Sequence, residues 1–181
     1  MNKLEQLSEK AKFIFVDIDG TILASNDAVC KILNKRYHKH YTGRDVMDWN
    51  YTDLYPTNSD EVEELFDSKE FFKNVTFVKG TRKYLTKYRD KIIIISKCNF
   101  KNYLHKRLYF NDKGFKDIPI IPVPLDMSKN IINMKGGLFI DDCAINLKES
   151  NATYKLMFME YNDDKKRSWQ KGFRGTKITE W

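Results

Sequence analysis

Asp17, Asp19, Asp141 and Asp142 are the residues whose type and spacing could do chemistry. Asp17 and Asp19 stand in the segment Asp17-Ile18-Asp19-Gly20-Thr21, directly after the apolar run Phe13-Ile14-Phe15-Val16. Asp141-Asp142 close a second apolar run that begins at Gly136, and Ser96 closes a third, Ile92-Ile93-Ile94-Ile95. Side chains at i and i+2 of a strand point the same way, so Asp17 and Asp19 could both reach one reacting centre. One could attack, and a carboxylate that attacks phosphorus forms an acyl-phosphate. The other could protonate the leaving oxygen and later deprotonate water. Carboxylates gathered in one place repel one another. A divalent cation removes that cost, and the all-oxygen set Asp17, Asp19, Asp141 and Asp142 suits Mg²⁺, which keeps open positions for water and phosphate. A lysine is wanted beside the phosphoryl oxygens. Lys129, preceded by Ser128 as a helix cap, is preferred over Lys97, Lys101 and Lys135; Lys97 follows Ser96 directly and should point away from it.

These residues meet only if the apolar runs are neighbouring strands. Phe13–Val16 and Ile92–Ile95 read as strands buried on both faces, with Gly20 allowing a sharp turn out of the first. Residues 118–123, broken by Pro119 and Pro122, read as an edge strand, residues 136–140 as another strand, and residues 154–159 as the last. Helices are expected after each strand: residues 26–37, capped by Asn26 or Asp27; residues 80–89; a helix from Asn99 whose apolar face is Phe100, Tyr103, Leu104 and Leu108; and residues 144–149. Between them, residues 26–78 hold short helices near 60–66 and 69–73 and no strong strand. The alternation predicts an α/β fold, a Rossmann-like parallel sheet with helices on both faces, and a small helical cap insertion. The expected division is a core of 1–25 and 79–181 and a cap of 26–78. Ligands of such sheets bind at the carboxyl ends of the strands.

Composition narrows the class. With 181 residues, 41% hydrophobic and 14% aromatic, the chain can bury a sizeable core and is too apolar for disorder. No apolar run approaches the roughly 20 residues of a membrane span, and no secretion or transit signal is read, so the expected compartment is the cytoplasm. Cys30, Cys98 and Cys143 lack metal-site or disulfide spacing and are read as reduced packing residues. The net charge of +7 favours anionic partners.

Taken together, DIDGT at 17–21, Ser96 after the isoleucine run, Lys129, and Asp141-Asp142 after GGLFI resemble the four motifs of the haloacid dehalogenase (HAD) superfamily, from about Lys12 to Met159. The resemblance implies an Mg²⁺-dependent phosphatase in which Asp17 is the nucleophile and Asp19 the general acid/base. Ser96 and Lys129, with Gly20 and Thr21 of the turn, would hold the phosphoryl group, and Asp17, Asp19, Asp141 and Asp142 would serve the metal. Within the superfamily, an aspartate at position 19 goes with phosphoryl chemistry rather than dehalogenation. The cap with Asp48-Trp49, the Phe71-Phe72 pair and the short length are similar to the 5′(3′)-deoxyribonucleotidases, which implies a deoxynucleoside monophosphate as substrate. That subfamily carries a base-stacking aromatic where this chain has Ser25, and commonly a basic residue where it has Cys143. Base recognition therefore falls to Trp49, Tyr51 or Phe72, with Lys97 nearby.

Other readings have different consequences. The basic, aromatic tail (Lys165, Lys166, Arg167, Lys171, Arg174 and Lys177, with Trp169 and Phe173) would suit a nucleic-acid track and a polynucleotide 3′-phosphatase. A small sugar-phosphate phosphatase is a third possibility. A retired, non-enzymatic binding module is a fourth, and the intact Asp17/Asp19 pair speaks against it.

Overall fold

Each apolar run with β-branched or aromatic residues forms a strand. In the computed structural model, which describes residues 2–163, 165 and 167–181, these are β1 (Ile14–Val16), β2 (Ile92–Lys97), β3 (Ile120–Val123), β4 (Leu138–Asp141) and β5 (Tyr154–Phe158). A sixth strand, β6 (Thr176–Ile178), comes from the tail, so β5 is not the last. All pairings are parallel, in the order β3-β2-β1-β4-β5-β6. β1 is central: Phe15 lies level with Ile93 on one side and Phe139 on the other. The chain order reverses across β1, where a doubly wound sheet opens its binding crevice.

Alternation along the strands feeds two apolar layers. Ile14, Val16, Ile94 and Ile140 belong to one buried cluster; Phe15, Ile95, Phe139 and Met157 belong to the other. Such strands are apolar on both faces because helices cover both. The covering helices are α1 (Lys3–Lys10), α2 (Ser25–Tyr37), α3 (Ser59–Phe66), α4 (Lys69–Asn74), α5 (Thr81–Lys87), α6 (Phe100–Asp112) and α7 (Ala144–Glu149). α2, α3 and α4 lie in the segment between β1 and β2. Val29, Leu33, Val62, Leu65 and Phe71 from that segment join the larger cluster with the strands. No helix among the described residues is long and apolar enough to cross a membrane.

Four local expectations change. α1 was not foreseen; Asn2 caps it by accepting from the Glu5 N–H at 2.9 Å. α2 begins at Ser25 without a side-chain cap, because Asn26 and Asp27 are engaged elsewhere: Asn26 accepts from the Tyr51 hydroxyl, and Asp27 from the Gly43 N–H, both at 2.7 Å. α6 is rolled away from its apolar stripe: Phe100, Leu104 and Leu108 are exposed, while Asn102, Lys106, Tyr109 and Phe110 are buried. Polar anchors turn it, since Asn102 donates to the Phe66 carbonyl and Lys106 to Asp19 and Ser96.

The tail is the fourth. It is built into the fold rather than free: Trp169 lies in the one-turn helix Ser168–Gln170, Phe173 packs on the second cluster, Arg167 is buried, and Trp181 stacks on Phe158. Trp169 and Phe173 are thus half-buried parts of the fold, and Trp169 borders a cavity beside Asp19. Lys165, Lys171, Arg174 and Lys177 are exposed, and Lys166 lies outside the described residues.

Candidate active site

The site forms where β1, β2 and β4 end together. The Asp17 N–H donates to the Ile140 carbonyl at 3.0 Å, which keeps Asp17 level with the end of β4. The chain then leaves the sheet. The N–H groups of Thr21, Ile22 and Leu23 all converge on the Ile18 carbonyl. Gly20 stands at φ +70°, and a Cβ there would lie 2.5 Å from Asp142 Oδ2. Only glycine lets the turn pass so close to a carboxylate.

This turn is why Asp17 and Asp19 do not share partners as strand neighbours would. Asp17, Asp141 and Asp142 bring carboxylate oxygens within 4.8 Å of one another. The Asp19 carboxylate is drawn aside: its Oδ1 accepts from the Ser25 hydroxyl at 2.8 Å and its Oδ2 from Lys106 Nζ at 2.5 Å. The expectation of four clustered carboxylate side chains is therefore corrected to three plus one.

Lys129 is buried in the one-turn helix Lys129–Ile131, behind the expected Ser128 cap. Its ammonium bridges Asp17 and Asp141, the latter at 2.7 Å. Burial alone would lower the lysine's pKa, but the carboxylates of Asp141 and Asp17 outweigh it and hold the group charged. Asp141 also accepts from the Cys143 N–H at 2.7 Å and from Asn146 at 3.1 Å. Asp142 accepts from the Trp169 indole N–H at 2.7 Å. Burial pushes Asp17 up to about 7, with Lys129 pulling down and Asp141 and Asp19 pushing up. Burial, then Asp141 and Asp17, likewise raise Asp142.

The residues present fit a divalent cation. Three carboxyl groups gather around one ammonium, more than Lys129 can offset. Burial and that crowding raise the pKa of Asp17 and Asp142, and a bound cation would relieve the crowding. The donors are all oxygen, as Mg²⁺ requires.

Ser96 and Lys106 complete the wall on the β2 side. Ser96 Oγ is buried and accepts from Lys106 Nζ at 2.8 Å. Thr21 is corrected: it is fully buried beneath the turn, its hydroxyl has no partner among the described residues, and it borders neither cavity of the site.

Two cavities flank Asp19, of about 420 and 200 Å³, and share Trp49 and Phe66. The larger holds Lys97, Cys98 and Lys106; the smaller holds Gly20, Tyr51, Asp142 and Trp169. Lys97 thus reaches the cavity although it points away from the Ser96 side. Trp49 is half exposed and free to meet a ligand. Tyr51 borders the smaller cavity, but its hydroxyl is committed to Asn26. Phe72 is the wrong aromatic: it packs on Phe71, His105 and Tyr109 and borders neither cavity, whereas Phe66 borders both. A third cavity, of about 570 Å³, is larger but lies past the ends of β5 and β6, lined by Asp27, Lys79, Glu160 and Trp181, and Asp17, Asp19, Ser96, Asp141 and Asp142 do not border it. Burial raises the Cys98 thiol and pushes Cys143 up to about 11, which keeps both protonated and unreactive.

Sequence reading missed Lys106, Ser25, Asn146, Phe66 and Trp169. Asn102 and Lys106, four apart on α6, carried a usable signal of a polar inward face. Trp169 carried none, because its place depends on where the tail folds back.

The model of the family described as 5′ nucleotidase, deoxy (Pyrimidine), cytosolic type C protein matches residues 11–173. The chain belongs to that family. It is a phosphatase of the HAD superfamily, with the phosphomonoesterase activity of that class. No curated protein sequence matches it. Solved structures share its fold across nearly the whole chain. A HAD family hydrolase of Deinococcus radiodurans R1, with bound phosphate and sodium, is 9% identical at a TM-score of 0.62, covering 95% of this chain and 92% of that one. A predicted phosphatase of Clostridium acetobutylicum is 13% identical at 0.57, covering 92% and 93%. A haloacid dehalogenase-like hydrolase of Streptococcus pneumoniae is 10% identical at 0.58, covering 94% of each.

Proposed function

We propose that the protein is an Mg²⁺-dependent 5′(3′)-deoxyribonucleotidase that works through an aspartyl-phosphate on Asp17. The observation that carries this reading is two carboxylates in two environments. Asp17 is buried and shares Lys129 with Asp141, while Asp19 is held apart by Ser25 and Lys106 beside an aromatic cavity. Carboxyl groups in separated environments take separate roles.

Asp17 attacks phosphorus, and the bond from phosphorus to the leaving oxygen breaks. Asp19 delivers a proton to that oxygen. It then takes a proton from the water that attacks the acyl-phosphate, which releases inorganic phosphate and restores Asp17. Ser96 accepts from Lys106, so its own proton is free for a phosphoryl oxygen. Lys129 supplies positive charge to the same oxygens. Asp17, Asp141 and Asp142 would hold the cation, which when bound offsets charge on the carboxylates and the phosphoryl group. The Deinococcus radiodurans hydrolase of this fold has bound phosphate and sodium, which supports a phosphate-binding reading.

Trp49, Phe66 and Tyr51 supply flat apolar walls for a nucleobase, and Lys97 a cation at the rim. Residues 1–25 and 79–181 then form the core, with 26–78 as the cap that brings Trp49 and Phe66 to the site. Three free cysteines support a reducing, cytoplasmic setting.

The test is phosphate release with and without Mg²⁺. The panel holds deoxy- and ribonucleoside 5′- and 3′-monophosphates, a 3′-phosphorylated oligonucleotide and sugar phosphates. Mg²⁺-dependent preference for deoxynucleoside monophosphates is expected. Preference for the oligonucleotide or for sugar phosphates overturns the nucleotide assignment, and no release from any compound overturns the enzymatic reading.

A further inference from the structure

Asp142 sits at the end of β4, yet what holds its carboxylate comes from 27 residues further on. The Trp169 indole N–H donates to Asp142 Oδ2 at 2.7 Å, and the same ring forms part of the smaller cavity beside Asp19. Among the described residues no hydrogen bond ends on Asp142 Oδ1, so this carboxylate keeps one oxygen open. Asp141, by contrast, spends both oxygens on Lys129, Asn146 and the Cys143 N–H.

The segment that carries Trp169 is anchored at both ends. On one side, the Ser168 N–H donates to the Met47 carbonyl at 2.9 Å, and Arg167 Nη2 to the Arg44 carbonyl at 3.0 Å. Arg167 is itself buried and paired with Asp163. On the other side, β6 pairs with β5. The indole is therefore held by backbone contacts to the loop before Trp49 and by the sheet. A bond aimed by fixed elements at a carboxylate orients that carboxylate at little entropic cost.

We propose that Trp169 is a positioning residue: its indole N–H fixes Asp142 so that Oδ1 faces the cation, and the C-terminal segment is thereby part of the active site. This rests on the reading that Asp17, Asp141 and Asp142 hold Mg²⁺. Trp169 acts through Asp142 and takes no part in bond making.

The experiment is calorimetric titration of the full chain, freed of metal, with Mg²⁺ alone, for the unaltered protein and for Trp169→Phe, which keeps an aromatic ring and removes only the N–H. Loss of an outer partner of a metal ligand weakens cation affinity by roughly tenfold or more, so W169F should bind Mg²⁺ about tenfold more weakly. Raising Mg²⁺ should then restore its turnover, a rescue that a merely structural role for the ring would not produce. A second readout needs no folded W169F. One of the three tryptophan indole resonances of the unaltered protein should move during the Mg²⁺ titration and remain moving in Trp49→Phe, which removes the other cavity indole. Equal Mg²⁺ affinity in W169F and the unaltered chain, or indole resonances indifferent to Mg²⁺ while calorimetry shows binding, overturns the proposal and leaves the metal reading standing. No Mg²⁺ binding by the unaltered chain overturns the metal reading and this proposal with it.

Discussion

Glu160 follows β5 and is pressed against α2, where Asn26 Nδ2 donates to it at 3.3 Å. Burial first, then the negative charge of Asp27, push its carboxyl up from 4.5 to about 8; Asn26, Tyr161 and Arg167 pull the other way without cancelling the rise. In the unfolded chain the group titrates near its ordinary value. The folded protein therefore binds this proton more tightly, and the stability it contributes is full below about pH 4.5 and is lost as pH rises through about 8. A shift of this size corresponds to about 5 kcal/mol at one extreme. Because the residue is only half-buried, ~3 kcal/mol is the figure to expect. For a chain of this length that is a fall of roughly 6–12 °C in Tm across the window. Glu160→Gln keeps an acceptor for Asn26 and removes the titration. The assay is thermal unfolding of both proteins from pH 5 to pH 9, in chelator so that metal binding does not contribute. The unaltered protein should lose Tm steeply with rising pH; E160Q should lose less, keeping only the share due to Asp17 and Asp142, and the two curves should cross so that the variant is the more stable at pH 9. Parallel curves would refute the reasoning, because Glu160 would then not be the group that titrates.

Asp17→Asn should lower phosphate release by at least about 10⁴-fold with the fold intact by circular dichroism, and wild-type turnover in that variant would sink the covalent route. Asp19→Asn should slow turnover while allowing phosphoryl transfer to Asp17, seen as a mass increase of the intact chain. Lys106→Met removes the buried ammonium that holds both Asp19 and Ser96, and should cost about 100-fold in kcat by misplacing them; an unchanged kcat would remove Lys106 from the site. Trp49→Ala should raise the KM for an aromatic nucleotide roughly tenfold and leave Tm nearly unchanged. Phe72→Ala should do the reverse, losing about 2 kcal/mol of stability with KM intact; an effect of F72A on KM alone would restore Phe72 to the binding surface.

The gathering of carboxylates at the strand ends was legible because strand ends are local. Asp17, Ser96 and Asp141 each terminate an apolar run, and a parallel sheet brings such ends to one edge whatever the rest of the chain does. The turn at Gly20 was legible for a similar reason, since a glycine after a buried strand marks a position that a side chain cannot occupy. Lys129 was chosen as the lysine wanted beside the phosphoryl oxygens, and the structure pairs it with Asp17 and Asp141.

The rest depended on contacts between residues far apart in the chain. α6 offered an apolar stripe, and its own pattern pointed Leu104 and Leu108 inward. Asp19, Ser96 and the Phe66 carbonyl, all distant in sequence, pair with Asn102 and Lys106 and turn them inward instead, because a buried ammonium or amide left unpaired costs more than three exposed apolar side chains. Asp19 looked like a metal ligand from its spacing, but the chain leaves the strand before reaching it, and Ser25 and Lys106 take its oxygens. Phe72 and Phe66 are equivalent as residue types, and only packing decided that one lines the cavity and the other the core. The tail shows this most fully. Its charges and aromatics suited a nucleic-acid track, but Trp169, Arg167 and β6 find partners 27 residues or more than 100 residues away, or on a strand edge. Sequence determines which groups can do chemistry and where a local turn must lie. Tertiary structure decides which of them are paired, since hydrogen bonds and ion pairs are satisfied in space and not along the chain.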